Sequence, residues 1–273
     1  MLLLSNNKLS VELLDPIKDQ AKFGVRYCTG GYIYQIVDSK LGNLLSGPTY
    51  PESFNWFDGQ GIPDAFNWAP LRSSQKDDSE VLIVGIGLCD LQTKQVKQFC
   101  DWQLEQDANQ VRFTTQQAFE NYALQLVRTV SLQERTVRSH TTISNQGSEF
   151  IPITWFPHPF YPQPQNTKEL CLLNIPFTLP SDHEGYEQAE SGFIQRKAWP
   201  EQKGFYLPIE HQAQQALTIL QRHDQLGLVG ATCSYVPDYF PIWGNQNTFS
   251  WEPFFQHIVA PTKAVSWWID YHF

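Results

Sequence analysis

The sequence predicts an all-β fold, built as a large antiparallel β-sandwich. Hydrophobic and polar residues alternate with period two in several segments, which is the pattern of half-buried strands. These segments recur roughly every ten residues and are separated by Gly, Pro, Asn and Asp, as in sandwiches and barrels. The chain also contains 9 Trp, 11 Tyr and 18 Phe in 273 residues, and aromatic residues favour strands. No repeat, linker or low-complexity tract divides the chain, so we expect one domain over residues 1–273.

The clearest alternation lies in the segment NYALQLVRTVSLQ (121–133). Leu124, Leu126, Val130 and Leu132 fall on one face, and Gln125 and Thr129 among others fall on the opposite face. The next segment, RTVRSHTTISN (135–145), repeats this alternation and stops at the turn NQGSE. Each of the two segments therefore predicts a strand.

Four other segments predict strands in the same way: VLIVGIGLCDL (81–91), QALTILQRHD (215–224), LGLVGATCSYV (226–236) and AVSWWIDYHF (264–273). Helical turns are plausible in two places, SEVLIVG (79–85) and EHQAQQA (210–216), and neither has good capping residues. The segment WFDGQGIPDAFNWAPLR (56–72) is too rich in Gly, Pro and Asp for a strand. It predicts a long ordered loop, and such loops tend to carry function.

Charge and cysteine content exclude several classes of function. The formal net charge is −9 and no Lys/Arg-rich run occurs, so nucleic acid and anionic membranes are not expected partners. Five widely spaced cysteines without a C-x-x-C motif indicate reduced thiols rather than a disulfide framework or a zinc site. Together with an apolar start too short for a signal peptide, this predicts a cytoplasmic protein.

Two candidate catalytic residues are each surrounded by prolines and aromatic rings. His158 lies in TWFPHPFYPQP (154–164), which predicts a strand that ends at a rim with the imidazole at its exit. Glu252 lies in WGNQNTFSWEPFFQH (243–257). Aromatic neighbours reduce the hydration of a carboxylate and raise its pKa, which makes it a better base near neutral pH. A nearby imidazole can supply the matching acid.

A structural role is the competing interpretation of each residue taken alone, with the imidazole bonded to a backbone carbonyl and the carboxylate paired with an arginine. The sequence contains no phosphate-binding loop, no G-x-S-x-G and no H-E-x-x-H. We therefore expect neither a cofactor nor a metal.

Three motifs resemble the aldose 1-epimerase (galactose mutarotase) superfamily. TISNQGSEFIPITWFPHPFY (142–161) is similar to a family segment in which a strand ends in N-x-G/S and the next carries a His before an aromatic residue. Residues 241–273 are similar to the family's C-terminal segment, with a Trp strand, a Glu-Pro pair and a last strand. GQGIPDAF (59–66) resembles the G-G-I-P loop of the hexose-6-phosphate 1-epimerase branch.

The resemblance implies a galactose mutarotase-like supersandwich that interconverts sugar anomers without a cofactor. It assigns the catalytic base to Glu252 and the acid to His158. Further candidates for contact with the sugar are Arg72, Trp243, Asp64, Gln60 and Phe160. The expected ligand is a small sugar or sugar phosphate.

Two family features are absent. The stretch GIGLCDL lacks the second histidine that many members carry, and Gly59 and Gln60 stand where the phosphate branch has Arg and Gly. Arg72 could replace that arginine as a phosphate ligand, or it could be an ordinary surface residue.

Two alternatives to an epimerase remain at this stage. The same cleft could bind carbohydrate by ring stacking without turnover. The chain could also be a glycoside hydrolase or lyase, in which Asp64 would have to lie across the cleft from Glu252 as the second carboxylate.

Overall fold

The computed structural model describes residues 1–73 and 79–273 of the protein. Regular structure in these ranges consists of antiparallel β-strands and one short 3-10 helix, Gln20–Lys22. None of the described residues belongs to a helix with the length and apolar character needed to cross a membrane. The all-β prediction is confirmed.

The strands of the described residues are numbered β1 to β26 in chain order and form five sheets. The N-terminal sheet has the spatial order β1 (Leu2–Ser5), β2 (Leu9–Leu13), β3 (Ile33–Asp38), β4 (Gly42–Asn43). A second four-stranded sheet has the order β6 (Leu71–Arg72), β7 (Glu80–Ile83), β8 (Gly87–Asp90), β9 (Gln95–Phe99).

The largest sheet has ten strands, in the order β10 (Gln103–Gln106), β11 (Gln110–Phe119), β12 (Tyr122–Gln133), β13 (Thr136–Asn145), β26 (Ala264–His272), β22 (Gly227–Cys233), β21 (Thr218–His223), β16 (Glu169–Leu173), β19 (Ile194–Arg196), β18 (Tyr186–Gln188). A three-stranded sheet has the order β25 (Phe255–Val259), β14 (Ile151–Pro157), β5 (Asp64–Ala65). The remaining sheet has the order β15 (Tyr161–Pro162), β24 (Thr248–Trp251), β23 (Phe240–Gly244), β20 (Phe205–His211), β17 (Phe177–Thr178).

Aromatic residues fill the layer between the ten-stranded sheet and the two sheets that carry β14 and β24. The rings of Trp155 on β14 and Trp267 on β26 have centroids 5.4 Å apart. Trp251 on β24 stacks on Tyr271 of β26 at 6.1 Å. Because each pair joins two sheets, these rings form the core of a sandwich.

The period-two pattern of β12 and β13 has the predicted consequence. Leu124, Leu126, Val130 and Leu132 are all buried, and β12 pairs with β13 in a continuous antiparallel register. The remaining inward position of β12 belongs to Arg128, which is fully buried. A charged residue on an inward face requires a partner, and that partner is described with the site below.

Two local predictions were wrong. Neither SEVLIVG nor EHQAQQA is helical, because Glu80–Ile83 forms β7 and Glu210 and His211 end β20. The single strand expected over 81–91 is a hairpin of β7 and β8. Its turn contains Gly85 at a φ of 75°, where an added Cβ would lie 2.4 Å from Cys28 Sγ. The five cysteines are unpaired and four of them are buried.

Candidate functional site

His158 is the first residue after β14, and its position is fixed from both sides. Its backbone N–H donates to the carbonyl of Pro63 at 2.8 Å, which joins the end of β14 to the long loop that contains β5. The imidazole stacks on Phe160, with ring centroids 4.3 Å apart. His158 is 4% exposed. The predicted strand end is confirmed, because β14 stops at Pro157, directly before His158.

Glu252 immediately follows β24 and is 6% exposed. Its backbone N–H donates to the carbonyl of Pro241 at 2.9 Å. The carbonyl of the next residue, Pro253, accepts a hydrogen bond from Tyr235 at 2.8 Å. The carboxylate is thus carried on backbone that is anchored on each side.

The two side chains meet. His158 Nε2 lies 3.3 Å from Glu252 Oε1, and His158 Nδ1 lies 2.8 Å from Ser250 Oγ. Burial raises the pKa of Glu252 to about 8, against a smaller opposing effect of the Arg26 charge. Burial, reinforced by Arg26, lowers the pKa of His158 well below its ordinary value.

These two pKa directions determine the charge of the pair. The distance would allow an ion pair, but the cost of burying both charges favours a protonated carboxyl beside a neutral imidazole. Around pH 7 the pair therefore holds one exchangeable proton between Oε1 and Nε2. It is a donor and an acceptor side by side, which is the arrangement that general acid–base chemistry requires.

Both side chains line a cavity of about 330 Å³. Its described lining residues are Arg26, Pro48, Phe57, Asp58, Asn67, Trp68, Phe156, His158, Phe160, Tyr206, Trp243 and Glu252. Four of the residues singled out from the sequence are among them: His158, Glu252, Trp243 and Phe160.

Three exposed aromatic residues form part of the cavity wall and were not identified from the sequence. Trp68 is 58% exposed, Phe57 is 52% exposed and Tyr206 is 47% exposed. Trp68 packs on Phe254 at 4.7 Å, and the hydroxyl of Tyr206 lies 2.6 Å from that of Tyr239. Large rings held in place with one face in water are suited to contact with an amphipathic ligand. Trp68 belongs to the long loop already predicted to carry function, and that signal could have identified it.

Arg26 is the one cation among the described residues that line the cavity. Its guanidinium donates to the carbonyl of Phe57 and lies 4.8 Å from the centroid of Tyr27 and 4.9 Å from that of Phe57. The sequence contains no motif around Arg26, and its contact lies 31 residues away along the chain. No sequence pattern could have identified it.

Two polar residues of the long loop complete the wall. Asn67 Oδ1 is buried and has no hydrogen-bond partner among the described residues, so its capacity to accept a hydrogen bond is unused. The carboxylate of Asp58 accepts a hydrogen bond from Asn55 Nδ2 at 2.7 Å. Both residues fall within the segment 56–72 that the sequence analysis singled out.

The structure places three other predicted site residues away from this cavity. Asp64 binds Arg128, with Oδ1 2.6 Å from Nη1 and a second contact between Oδ2 and Nη2. Gln60 lines a separate depression beside Tyr34. Arg72 is an exposed residue of the short strand β6. Asp64 is therefore the buried partner that Arg128 requires, and its carboxylate is fully engaged there.

Potential metal ligands do not converge in the described ranges. Within residues 1–73 and 79–273, no group of three or more His, Cys, Asp or Glu side chains could hold a metal ion.

Comparison with known proteins gives structural matches without matches in sequence. No protein-family model matches the chain, and neither does any curated protein. A galactose mutarotase related enzyme from Lactobacillus acidophilus superposes with a TM-score of 0.64 at 11% identity, over 99% of this chain and 96% of that one.

Two further solved structures agree with this match. The Slr1438 protein from Synechocystis has a TM-score of 0.61 at 14% identity, over 99% of this chain and 94% of that one. A galactose mutarotase-like protein from Lactobacillus casei has a TM-score of 0.57 at 14% identity, over 100% of this chain and 99% of that one. The chain therefore has the galactose mutarotase-like fold.

Proposed function

We propose that this protein interconverts the α and β anomers of an aldose, with Glu252 as the base and His158 as the acid. The observation that carries this proposal is the 3.3 Å contact between two buried titratable groups at the wall of an aromatic-lined cavity. The shared fold adds support, because one structure with this fold is described as galactose mutarotase related. Glu252 and His158 come from separate motifs of the sequence and meet at one point.

The His158–Glu252 pair begins and ends the reaction with the same number of protons. Transfer of the shared proton from Glu252 to Nε2 of His158 gives a carboxylate beside an imidazolium. The carboxylate takes the proton of the anomeric hydroxyl, the C1–O5 bond breaks with its electrons moving to O5, and O5 takes the proton from Nε2. C1 becomes an aldehyde carbon and turns about the C1–C2 bond. Attack of O5 on the other face then reverses both proton transfers.

The cavity wall supports a pyranose as ligand. Trp68, Tyr206 and Trp243 offer ring faces for the C–H surface of a sugar, and Asn67 Oδ1 can accept from a hydroxyl. We further propose that free and phosphorylated aldoses are both ligands, with Arg26 in the role that sequence alone offered to Arg72. A guanidinium is well suited to a phosphate group because it can form two parallel hydrogen bonds.

The test is anomer interconversion measured by polarimetry or NMR on a panel of free and phosphorylated aldoses. We expect a rate above the spontaneous one for at least one sugar, without an added metal or cofactor. Glu252→Gln should lower that rate by about 10²-fold or more, since general acid–base catalysis typically contributes ~10²–10⁴-fold. Affinity should change little, because the amide still forms hydrogen bonds with hydroxyls.

Non-catalytic carbohydrate binding is the second candidate, and the exposure of Trp68 and Tyr206 favours it. It is the correct conclusion if a sugar binds but its anomerisation never exceeds the spontaneous rate. Release of reducing ends from glycosides would instead indicate hydrolysis. In that case Asp58 is the second carboxylate to test with Glu252, because both line the cavity.

We also propose that residues 1–273 form one domain in the cytoplasm. One core cluster contains buried side chains from Leu4 to Tyr271, and a second, smaller cluster includes Phe156 and Phe254. The extent of the first cluster along the chain supports a single unit. The five unpaired cysteines are compatible with a reducing compartment. Limited proteolysis that yields two stable fragments would contradict the single domain.

A further inference from the structure

A third side chain, that of Ser250, contacts the His158 imidazole on the side opposite to the carboxyl group of Glu252. Ser250 Oγ lies 2.8 Å from Nδ1 of His158, and Ser250 is fully buried. Ser250 lies on β24, and Glu252 follows the end of that strand, two positions further along the chain. This segment therefore presents a hydroxyl and a carboxyl group to the two nitrogens of one imidazole.

The other neighbours of His158 fix the plane of the ring without bonding to Nδ1. Phe160 stacks on it, while Tyr27 and Trp243 meet it edge to face with centroids 6.3 and 6.1 Å away. The Tyr27 hydroxyl donates to the carbonyl of Asp58 at 3.1 Å. Among the described residues, the titratable or charged groups that face the ring or share its cavity are Glu252, Arg26, Tyr27, Asp58 and Tyr206. The hydrogen bond at Nδ1 belongs to Ser250.

The hydrogen-bond pattern follows from which atoms can donate. The protonated carboxyl group of Glu252 is a donor, so Nε2 beside it must accept. A neutral imidazole carries one hydrogen, which then resides on Nδ1 and is donated to Ser250 Oγ. The same Nδ1–H bond persists when Nε2 becomes protonated, since an imidazolium donates from both nitrogens.

We propose that Ser250 is a positioning residue that keeps a hydrogen on Nδ1 of His158 and so makes Nε2 the nitrogen that exchanges protons with Glu252 and the sugar. The inference rests on the proposed anomerase function for its kinetic consequence, although the tautomer itself can be measured without it. Without the hydroxyl, the hydrogen can move to Nε2, and a neutral imidazole in that form cannot accept a proton from Glu252.

The kinetic test compares two buried hydroxyls of the same strand. Ser250→Ala removes the partner of Nδ1, whereas Thr248→Val removes a hydroxyl that donates to the carbonyl of Tyr161 at 2.7 Å. We expect Ser250→Ala to lower kcat about tenfold or more, as loss of an acid–base orienter does, with KM nearly unchanged and the pH profile shifted. Thr248→Val should reduce stability and leave kcat and the pH profile unchanged.

Rescue by Ser250→Thr would support the proposal, since the hydroxyl returns. Equal kcat values and pH profiles for Ser250→Ala and the unmutated protein would overturn it.

The direct test measures the tautomer in the unmutated protein and needs no variant at position 250 to fold. Nitrogen-15 NMR of protein with labelled histidines distinguishes a protonated from an unprotonated ring nitrogen, and the His158 signals are those lost in His158→Asn. We expect a protonated Nδ1 and an unprotonated Nε2 near pH 7. A protonated Nε2 with a bare Nδ1 would overturn the inference. If no sugar is anomerised, the proposed function fails, and this measurement still decides whether His158 has the tautomer that Ser250 is proposed to hold. The same measurement on Ser250→Ala then tests whether that tautomer depends on the hydroxyl.

Discussion

The Nε2 atom of His158 and the Oε1 atom of Glu252 lie 3.3 Å apart, and burial favours the uncharged form of each side chain. Exposed groups at this distance would be an ordinary ion pair. Here the cost of removing charge from water leaves a carboxylic acid beside a neutral imidazole. The ionised form that anomerisation requires has the same number of protons, so one proton transfer within the pair produces it. The rate of anomerisation and the stability of the fold should therefore depend on the pH at which the pair gains or loses a proton.

The rate of anomerisation should decline above pH 8. The pair loses its single proton as pH rises through the Glu252 pKa of about 8, and His158 then has no proton to give to O5. On the acid side the pair stays intact until well below the ordinary histidine range, because the pKa of His158 is lowered. We expect kcat/KM to be flat around pH 7 and to fall with a one-proton slope above 8, after subtraction of the hydroxide-catalysed rate. A rate that keeps rising above pH 8 would show that Glu252 acts as a base without the acid.

The stability of the folded protein should depend on pH through the same carboxyl group. The pKa of Glu252 is raised in the folded state, from 4.5 to about 8, so between these values the folded state binds more protons than the unfolded state. Stability contributed by this group is therefore present at low pH and is lost as pH rises from 4.5 to 8. Glu252→Gln stays neutral throughout and avoids this loss.

The measurement is thermal unfolding of Glu252→Gln and the unmutated protein at pH 5 and pH 8.5. We expect similar stability at pH 5 and a gain for the variant at pH 8.5 on the order of a few kcal/mol. Glu149→Gln alters an exposed glutamate and should produce no such pH-dependent gain. A constant difference between Glu252→Gln and the unmutated protein at both pH values would contradict the raised pKa.

The sequence predicted the strands and singled out His158 and Glu252 as candidates because local patterns indicate both. The inward positions of β12 follow from period-two alternation, and the confinement of His158 and Glu252 follows from adjacent prolines and rings. The same alternation assigned position 128 to the inner face, but an alternation does not indicate which residue neutralises a buried arginine. Its partner, Asp64, had been assigned to the cleft because it lies in a glycine-rich loop.

Most of the cavity residues that sequence reasoning missed lie in loops. Arg26 and Trp68 reach the cavity from segments without regular repeats, where neither period nor spacing fixes the direction of a side chain. Tyr206 lies on β20 and is exposed, so alternation could predict its outward direction but not the cavity beside it. Trp68 lies in the loop that the sequence singles out, whereas identification of Arg26 and Tyr206 required the packing of several sheets.

Sugar affinity should depend on Trp68. The ring is exposed at the cavity and is supported from behind by Phe254 and Phe156, so its removal deletes a stacking surface without opening the core. We expect Trp68→Ala to weaken binding of the active sugar by about tenfold, since a ring contact contributes roughly 0.5–1.5 kcal/mol beyond area burial. Isothermal titration or quenching of tryptophan fluorescence measures this change.

Trp199→Ala is the matched control, because Trp199 is 44% exposed and contacts Arg196 away from the cavity. The affinity of Trp199→Ala for the sugar should equal that of the unmutated protein. Equal affinity of Trp68→Ala and the unmutated protein would exclude the ring as a stacking surface.

Removal of the Asp64 charge should lower the stability of the folded protein without changing the rate at which it anomerises a bound sugar. Both carboxylate oxygens of Asp64 bind Arg128, which also donates to Ser139 at 3.0 Å, and all of these groups are buried. Asp64→Asn leaves a buried guanidinium without its counter-charge, which typically costs about 3–5 kcal/mol. Asp270→Asn removes the same kind of contact from exposed Arg138 and should cost at most about 1 kcal/mol.

Urea unfolding measures both losses, and anomerisation by the folded fraction of Asp64→Asn should match that of the unmutated protein. If Asp64→Asn is stable but inactive, Asp64 acts at the cavity after all, and its assignment to the core is incorrect.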